Sequence, residues 1–150
     1  MFRKASFLLF VFLLVIGSSY AGELASGEAV NYYNDGVKAQ QSGNFTDAFT
    51  NYQKVLILSP SDTNLRKFIL NNTGVIYARE GDLAVAEDAF KEALILDPNY
   101  TTAHLNLTFI YYKKGDRMNA LEHLMRAYNI NIEENAPTVF IIEPESGSED

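Results

Sequence analysis

The chain has 150 residues, of which 47% are hydrophobic and 21% are charged, a composition typical of one compact globular domain. It carries 19 acidic and 12 basic side chains, and its formal net charge is −7. Phosphate-directed binding needs clustered Lys and Arg, so this surplus of carboxylates argues against a nucleic-acid-binding protein. The absence of cysteine excludes disulfides, thiolate nucleophiles and cysteine-ligated zinc.

The N-terminus has the three-part pattern of a secretory signal peptide. Arg3 and Lys4 form a positive start, residues 7–16 are an uninterrupted apolar run, and small residues precede a cleavage site after Ala21. A membrane-spanning helix needs about 20 apolar residues, so an uncleaved anchor is the minority alternative. The pattern predicts a signal peptide at residues 1–21 and export to the periplasm or the medium, with membrane contact only through this segment before cleavage.

A repeated pattern fills most of the remaining chain. Residues 42–60 align with residues 80–98, and a third copy covers residues 114–130. Gly81 and Gly115 are 34 residues apart, whereas Gly43 and Gly81 are 38 residues apart. Each of these glycines is followed by Asn or Asp, which suits the end of one helix and the N-cap of the next. Each copy therefore predicts the turn of a helical hairpin.

The residues after each turn recur at helical spacing. Ala48, Ala86 and Ala120 share one register, and a larger apolar residue follows four positions later. Pro60 and Pro98 are expected to end the second helices, since proline cannot continue a helix. The insertion at residues 61–64 is close to one helical turn, so it can lengthen the inter-repeat turn or the following helix without rotating its buried face. The predicted first helices are residues 29–41, 65–79 and 101–113, and the predicted last helix is residues 117–130.

These copies resemble the tetratricopeptide repeat family. Residues 32–36, residues 70–74 with Tyr77, and residues 97–107 with Tyr111 are similar to its first-helix signature. The glycine turn and the alanine register are similar to its second-helix signature. Three departures are visible: Asp35 stands where the family usually has Leu, Thr108 replaces a tightly packed Gly, and no proline closes the third copy.

The resemblance implies an all-α fold, a right-handed solenoid of three helical hairpins. The predicted repeat domain covers residues 22–135, with repeats at about 29–62, 67–100 and 101–134. Residues 138–142 are a short β-prone run, and residues 143–150 are acidic. Residues 136–150 are therefore predicted to be a flexible acidic tail, which either folds back on the repeats, docks on a neighbour or stays unattached.

No residue pattern points to catalysis. His104 and His123 are the only histidines, and neither has a second ligand at the spacing that would place both on one helical face. We expect His104 to pack inward and His123 to face solvent. Each turn contains one glycine, not a phosphate-binding loop. The sequence predicts no enzyme, no metal site and no cofactor.

In tetratricopeptide arrays the first helices line a concave groove that receives a peptide, and the resemblance carries this role onto one face of the three predicted first helices. The predicted groove residues are mostly apolar or aromatic. They are Val30, Tyr33, Val37, Gln40, Phe68, Asn71, Val75, Arg79, Leu105, Phe109, Tyr112 and Lys113. Only Asn72 and Asn106 occupy places of the basic clamp with which one subgroup of the family binds acidic tails, so that clamp is missing.

The function that the sequence favours is an exported adaptor or scaffold that binds a peptide or partner protein in this groove without catalysis. The main alternative is a structural protein of the cell envelope that forms homo-oligomers through its C-terminal end, where no polar capping helix is visible. A membrane-anchored form with an uncleaved signal, and an enzyme built on the repeats, are weaker alternatives.

Overall fold

The structure is a computed structural model in which residues 26–133 are described. This part of the chain consists of helices and turns without a strand. The helices are α1 (residues 26–41), α2 (Phe45–Leu58), α3 (Thr63–Arg79), α4 (Leu83–Leu96), α5 (Thr101–Lys113) and α6 (Arg117–Glu133). The predicted all-α fold of three helical hairpins is confirmed. The predicted signal peptide and acidic tail lie outside the described residues.

The chain divides into two compact units between Ser61 and Asp62. The first unit holds α1 and α2, and the second holds α3 to α6. Asp62 is the N-cap of α3, and its side chain accepts a hydrogen bond of 3.0 Å from the amide of Leu65. The insertion predicted at this point therefore extends α3 at its N-terminus as well as forming the connecting turn.

One turn design joins the helices of each hairpin. Gly43, Gly81 and Gly115 have φ angles of 78°, 87° and 78°, in the left-handed region that suits glycine. The side chain that follows each glycine accepts a hydrogen bond from a backbone amide in the first turn of the next helix. These caps are Asn44 with Asp47, Asp82 with Val85, and Asp116 with Asn119, each at 3.2 Å.

In the first two hairpins an aromatic ring packs directly on the backbone of the first helix. A Cβ atom placed on Gly36 would lie 2.6 Å from the Tyr52 ring, and one placed on Gly74 would lie 2.6 Å from the Phe90 ring. Both rings are buried. Any residue larger than glycine would therefore have to push the two helices apart.

In the second unit, α5 packs against both α3 and α4. Its contact residues Ala103, Leu107 and Ile110 have helical spacing and join a core that includes Val75 and Phe90. Ala86, for which the sequence predicts a close helix contact, is fully buried in the same core.

Two polar contacts accompany the packing of α5. Asn106 donates a hydrogen bond of 2.9 Å to Oδ1 of Asn71, and the Tyr111 hydroxyl donates one of 2.8 Å to Oε1 of Glu87. Burial by itself would raise the pKa of Glu87, but the hydrogen bonds from Lys114, Lys91 and Tyr111 outweigh it and lower this pKa to about 2. Glu87 thus holds a fixed negative charge between α4 and α5.

We expect Gly74→Ala to destabilise the protein by about 1–3 kcal/mol, the usual effect of overpacking, because the added methyl group overlaps the Phe90 ring. Alanine is otherwise the better helix former, by about 0.5–1 kcal/mol. Gly27→Ala in α1 is the matched control, since no atom lies within 4 Å of its added methyl group. Urea unfolding of both variants measures the difference. A Gly74→Ala variant as stable as the control would show that Phe90 does not need glycine.

Candidate functional site

A cavity of about 530 Å³ opens between α5 and α6. Its lining forms one stripe along each helix, and most of its side chains are apolar. The stripes consist of Leu105, Thr108, Phe109, Tyr112 and Lys113 from α5, and Arg117, Ala120, Leu121 and Leu124 from α6. We call this face the third seam, because it is where the helices of the third hairpin meet.

The space between the two helices is open at the third seam, whereas an aromatic ring fills the corresponding space in the second hairpin. With the 34-residue repeat, Thr108 corresponds to Gly74 and Leu124 corresponds to Phe90. Thr108 carries the Cβ atom that the glycine lacks, and Leu124 is smaller than the ring that it replaces. Leu124 is accordingly 46% exposed, whereas Phe90 is 0% exposed.

The second and third hairpins also differ in whether a further helix covers them. In the second hairpin α5 lies over the corresponding face, and Val75 is buried beneath it. The equivalent of Val75 is Phe109, which is only half-buried. Tyr112 is 69% exposed and Leu121 is 53% exposed. Within the described residues, the third seam is therefore a helix-packing face without its covering helix.

Positive charge lies at one end of this apolar face. Lys113 and Arg117 line the cavity on either side of the α5–α6 turn, and the Lys113 ammonium lies 5.4 Å from the centre of the Phe109 ring. Lys114 is paired with Glu87, whereas Lys113 and Arg117 form no ion pair with the side chains described at residues 26–128. Their charges are available to a ligand.

A histidine pair joins α5 to α6. Nε2 of His104 lies 3.0 Å from the Pro98 carbonyl oxygen, and Nδ1 of His104 lies 2.9 Å from Nδ1 of His123. The carbonyl oxygen only accepts, so Nε2 of His104 donates to it, and Nδ1 of His104 accepts from the Nδ1–H of His123. The His123 ring also stacks on Tyr111, with the ring centres 5.5 Å apart.

The histidine pair corrects one expectation from the sequence. His104 packs inward as predicted, but His123 is half-buried and does not face solvent. The two rings also contact each other. Spacing along one helix does not reveal this contact, because His104 lies on α5 and His123 lies on α6. No group of three or more potential ligands for a metal ion occurs in the described part of the chain.

The surroundings of both histidines favour the neutral form of the ring. Burial lowers the pKa of His104 and of His123, and the adjacent His104 ring lowers the pKa of His123 further. The positive charge of Arg126 also disfavours protonation at both rings. At His104 the hydrogen bond to the Pro98 carbonyl and the carboxylates of Asp97 and Glu122 oppose these effects without reversing them. At His123 the carboxylate of Glu122 does so.

Four of the predicted groove residues come together in the third seam. They are Leu105, Phe109, Tyr112 and Lys113. The α6 side of this site was not predicted from the sequence, because binding was assigned to the first helices alone. The signal was present in the third copy, where Thr108 replaces glycine and Leu124 replaces the aromatic residue.

Three of the predicted groove residues are buried in the structure. Asn71 and Val75 lie beneath α5, where Asn71 accepts its hydrogen bond from Asn106. Gln40 is 5% exposed in the first unit and accepts a hydrogen bond of 2.8 Å from the Tyr52 hydroxyl. Their side chains serve packing.

The other predicted residues lie on several surfaces. Val30 and Arg79 are exposed, and Val37 is half-buried. Tyr33 packs against a ring of the same unit, with its centre 6.1 Å from that of Tyr52. Phe68 meets the Tyr100 ring edge-on at 5.8 Å. None of these five residues lines the third seam.

Comparison with known proteins identifies the fold. Residues 68–100, in the second hairpin, match the tetratricopeptide repeat family. A solved structure of a mutant of MamA has a TM-score of 0.54 with 24% sequence identity, covering 79% of this chain and 85% of that chain. The second hairpin thus matches the tetratricopeptide repeat that the sequence predicted, and the fold of the chain is similar to that of MamA.

The chain also has relatives with a named role. It is 37% identical over 90 residues to the photosystem I assembly protein Ycf3 of Rippkaea orientalis, covering 60% of this chain and 51% of the relative. It is 32% identical over 90 residues to Ycf3 of Cyanophora paradoxa, covering 60% and 51%. The chain thus spans about half the length of these relatives.

These relatives overturn the predicted location. The prediction of a periplasmic or secreted protein is wrong, because the relatives are photosystem I assembly proteins and their named role is not one in the periplasm or outside the cell. The signal-like segment at residues 1–21 lies outside the described residues, and its cleavage stays untested. None of the described helices is long and apolar enough to cross a membrane.

We expect stability to decrease as the pH is lowered from 8 to 5. The unfolded histidines bind protons near their ordinary pKa of about 6.5, whereas the pKa values of folded His104 and His123 are lower. Their contribution is therefore fully present above about pH 6.5 and is lost as the pH falls through the folded values. Glu87, with a pKa of about 2, stays ionised throughout.

Urea unfolding at pH 8, 6.5 and 5 measures this loss. His123→Gln is the control, because its amide can still donate to His104 while one titrating ring is removed. The variant should lose less stability between pH 8 and 5 than the natural chain. Equal losses would contradict the assignment of this pH dependence to the histidine pair.

Proposed function

We propose that the protein is a tetratricopeptide adaptor that binds a partner protein through the third seam and catalyses no reaction. The observation that carries this proposal is the open apolar cavity between α5 and α6, with Tyr112 exposed at its edge. Concave apolar faces that end in a few charged groups are typical binding sites. Tyrosine is also enriched among the residues that dominate binding energy at interfaces.

The distribution of titratable groups favours binding over chemistry. Glu87, His104 and His123 have shifted pKa values, but each makes hydrogen bonds that join neighbouring helices. The cavity itself is lined by apolar side chains, one threonine, one tyrosine and two cations. No histidine or carboxylate, the side chains that most often act as general bases, is among these lining residues.

The relatives support the same class of function. Ycf3 is named for the assembly of photosystem I, a task performed on other proteins. By analogy, we infer that this chain holds a protein that is being assembled into a complex.

Site-specific photo-cross-linking tests the proposal. A photoreactive amino acid at Tyr112 should give cross-links to a distinct protein in cells of the natural host. The same amino acid at Ile95, which is 78% exposed on α4, provides the control for random encounters. We expect the cross-link at position 112 and not at position 95.

The pattern of cross-links separates the adaptor from the alternatives. Equal cross-linking at both positions would contradict a specific site. Cross-links only between copies of this chain would contradict the adaptor and favour the self-associating structural protein.

A further inference from the structure

We propose that the third seam takes one amphipathic helix of the partner, which is more apolar than α5 along its buried face and acidic near its C-terminal end. This inference rests on the proposed function and specifies the chemistry of the partner. The observation behind it is that the chain already contains a model for such a complex, since α5 covers the corresponding face of the second hairpin.

The helical form of the ligand follows from this internal packing. The residues Ala103, Leu107 and Ile110 of α5 lie at positions i, i+4 and i+7 and contact the core of α3 and α4. The third seam has the same two-helix construction, with Ala120 in the place of Ala86. A helix with apolar residues at that spacing therefore continues an arrangement already present in the second unit.

The third seam differs from the face beneath α5 at two residues to which α5 makes hydrogen bonds. Asn106 of α5 bonds to Asn71, whose counterpart in the third hairpin is Leu105. Tyr111 of α5 bonds to Glu87, whose counterpart is Leu121. A helix identical to α5 would thus lose both partners on the third seam.

These replacements define the specificity of the site. An amide buried against Leu105 would lose its hydrogen bonds to water without gaining new ones, which disfavours binding. An apolar residue at that position of the ligand avoids this loss. The same argument favours phenylalanine over tyrosine opposite Leu121.

The positive charges at one end of the third seam favour a negative charge at the C-terminal end of the ligand helix. The C-terminal residues Tyr111 and Lys114 of α5 both reach Glu87, so the C-terminal end of a docked helix would lie near Leu121. Lys113 and Arg117 line that end of the cavity. A lysine placed there would be repelled, whereas a glutamate would find two cations.

Two synthetic peptides test the inference with the full-length protein. The first has the sequence of residues 100–114 of this chain, and the second carries Asn106→Leu, Tyr111→Phe and Lys114→Glu. Both have the same length and pay a similar cost of helix formation. By fluorescence anisotropy, we expect the substituted peptide to bind at least about tenfold more tightly.

A variant of the protein provides the reciprocal test. Leu105→Asn combined with Leu121→Glu recreates the polar groups that α5 meets in the second hairpin. We expect this variant to lose its preference for the substituted peptide, or to prefer the parent peptide. Circular dichroism of the variant checks that its helix content is unchanged.

Each outcome bears on the inference. Equal affinities of the two peptides, or a preference that the variant leaves unaltered, would overturn it. Failure of both peptides to bind would also overturn it. A specific cross-link at position 112 in that case would leave the adaptor function standing with a ligand of another kind.

Discussion

The first two hairpins depend on an aromatic ring that packs directly against a glycine of the facing helix. At Gly36 and Gly74 the missing side chain leaves room for Tyr52 and Phe90, and a single Cβ atom would come within 2.6 Å of either ring. The third hairpin has neither the glycine nor the ring. The cavity at Thr108 and Leu124 lies where this contact is replaced and where none of the described helices covers the hairpin.

Polar groups on the side away from the cavity connect α5, which forms one wall of the cavity, to α4 and α6. Glu87 joins α4 to the C-terminal end of α5, and the histidine pair joins the N-terminal half of α5 to α6. These groups are satisfied by one another, so they stabilise the packing and leave the cavity face apolar. The protein thereby has a hydrophobic surface that no further helix covers within the described residues.

The sequence predicted the hairpins well because their signals are local. A glycine turn followed by a capping Asn or Asp depends on a few neighbouring residues, and it occurs in the structure at all three predicted places. Burial depends on neighbours far away in the chain. The position of Asn71 and Val75 on a first helix suggested a groove, but the covering helix α5 places them in the core. The pairing of His104 with His123 similarly needs the angle between two helices, which no spacing along one helix contains.

The openness of the third seam in the free protein is the central claim, and a soluble paramagnetic agent measures it directly. The agent broadens the NMR signals of methyl groups that it can approach. In the full-length chain we expect strong relaxation at the methyl groups of Leu121 and Leu124, which are 53% and 46% exposed, and weak relaxation at those of Val75 and Ile110, which are 2% and 0% exposed. Protection of Leu121 and Leu124 equal to that of Val75 would contradict the account, because the seam would then be covered by another part of the chain or by a second copy.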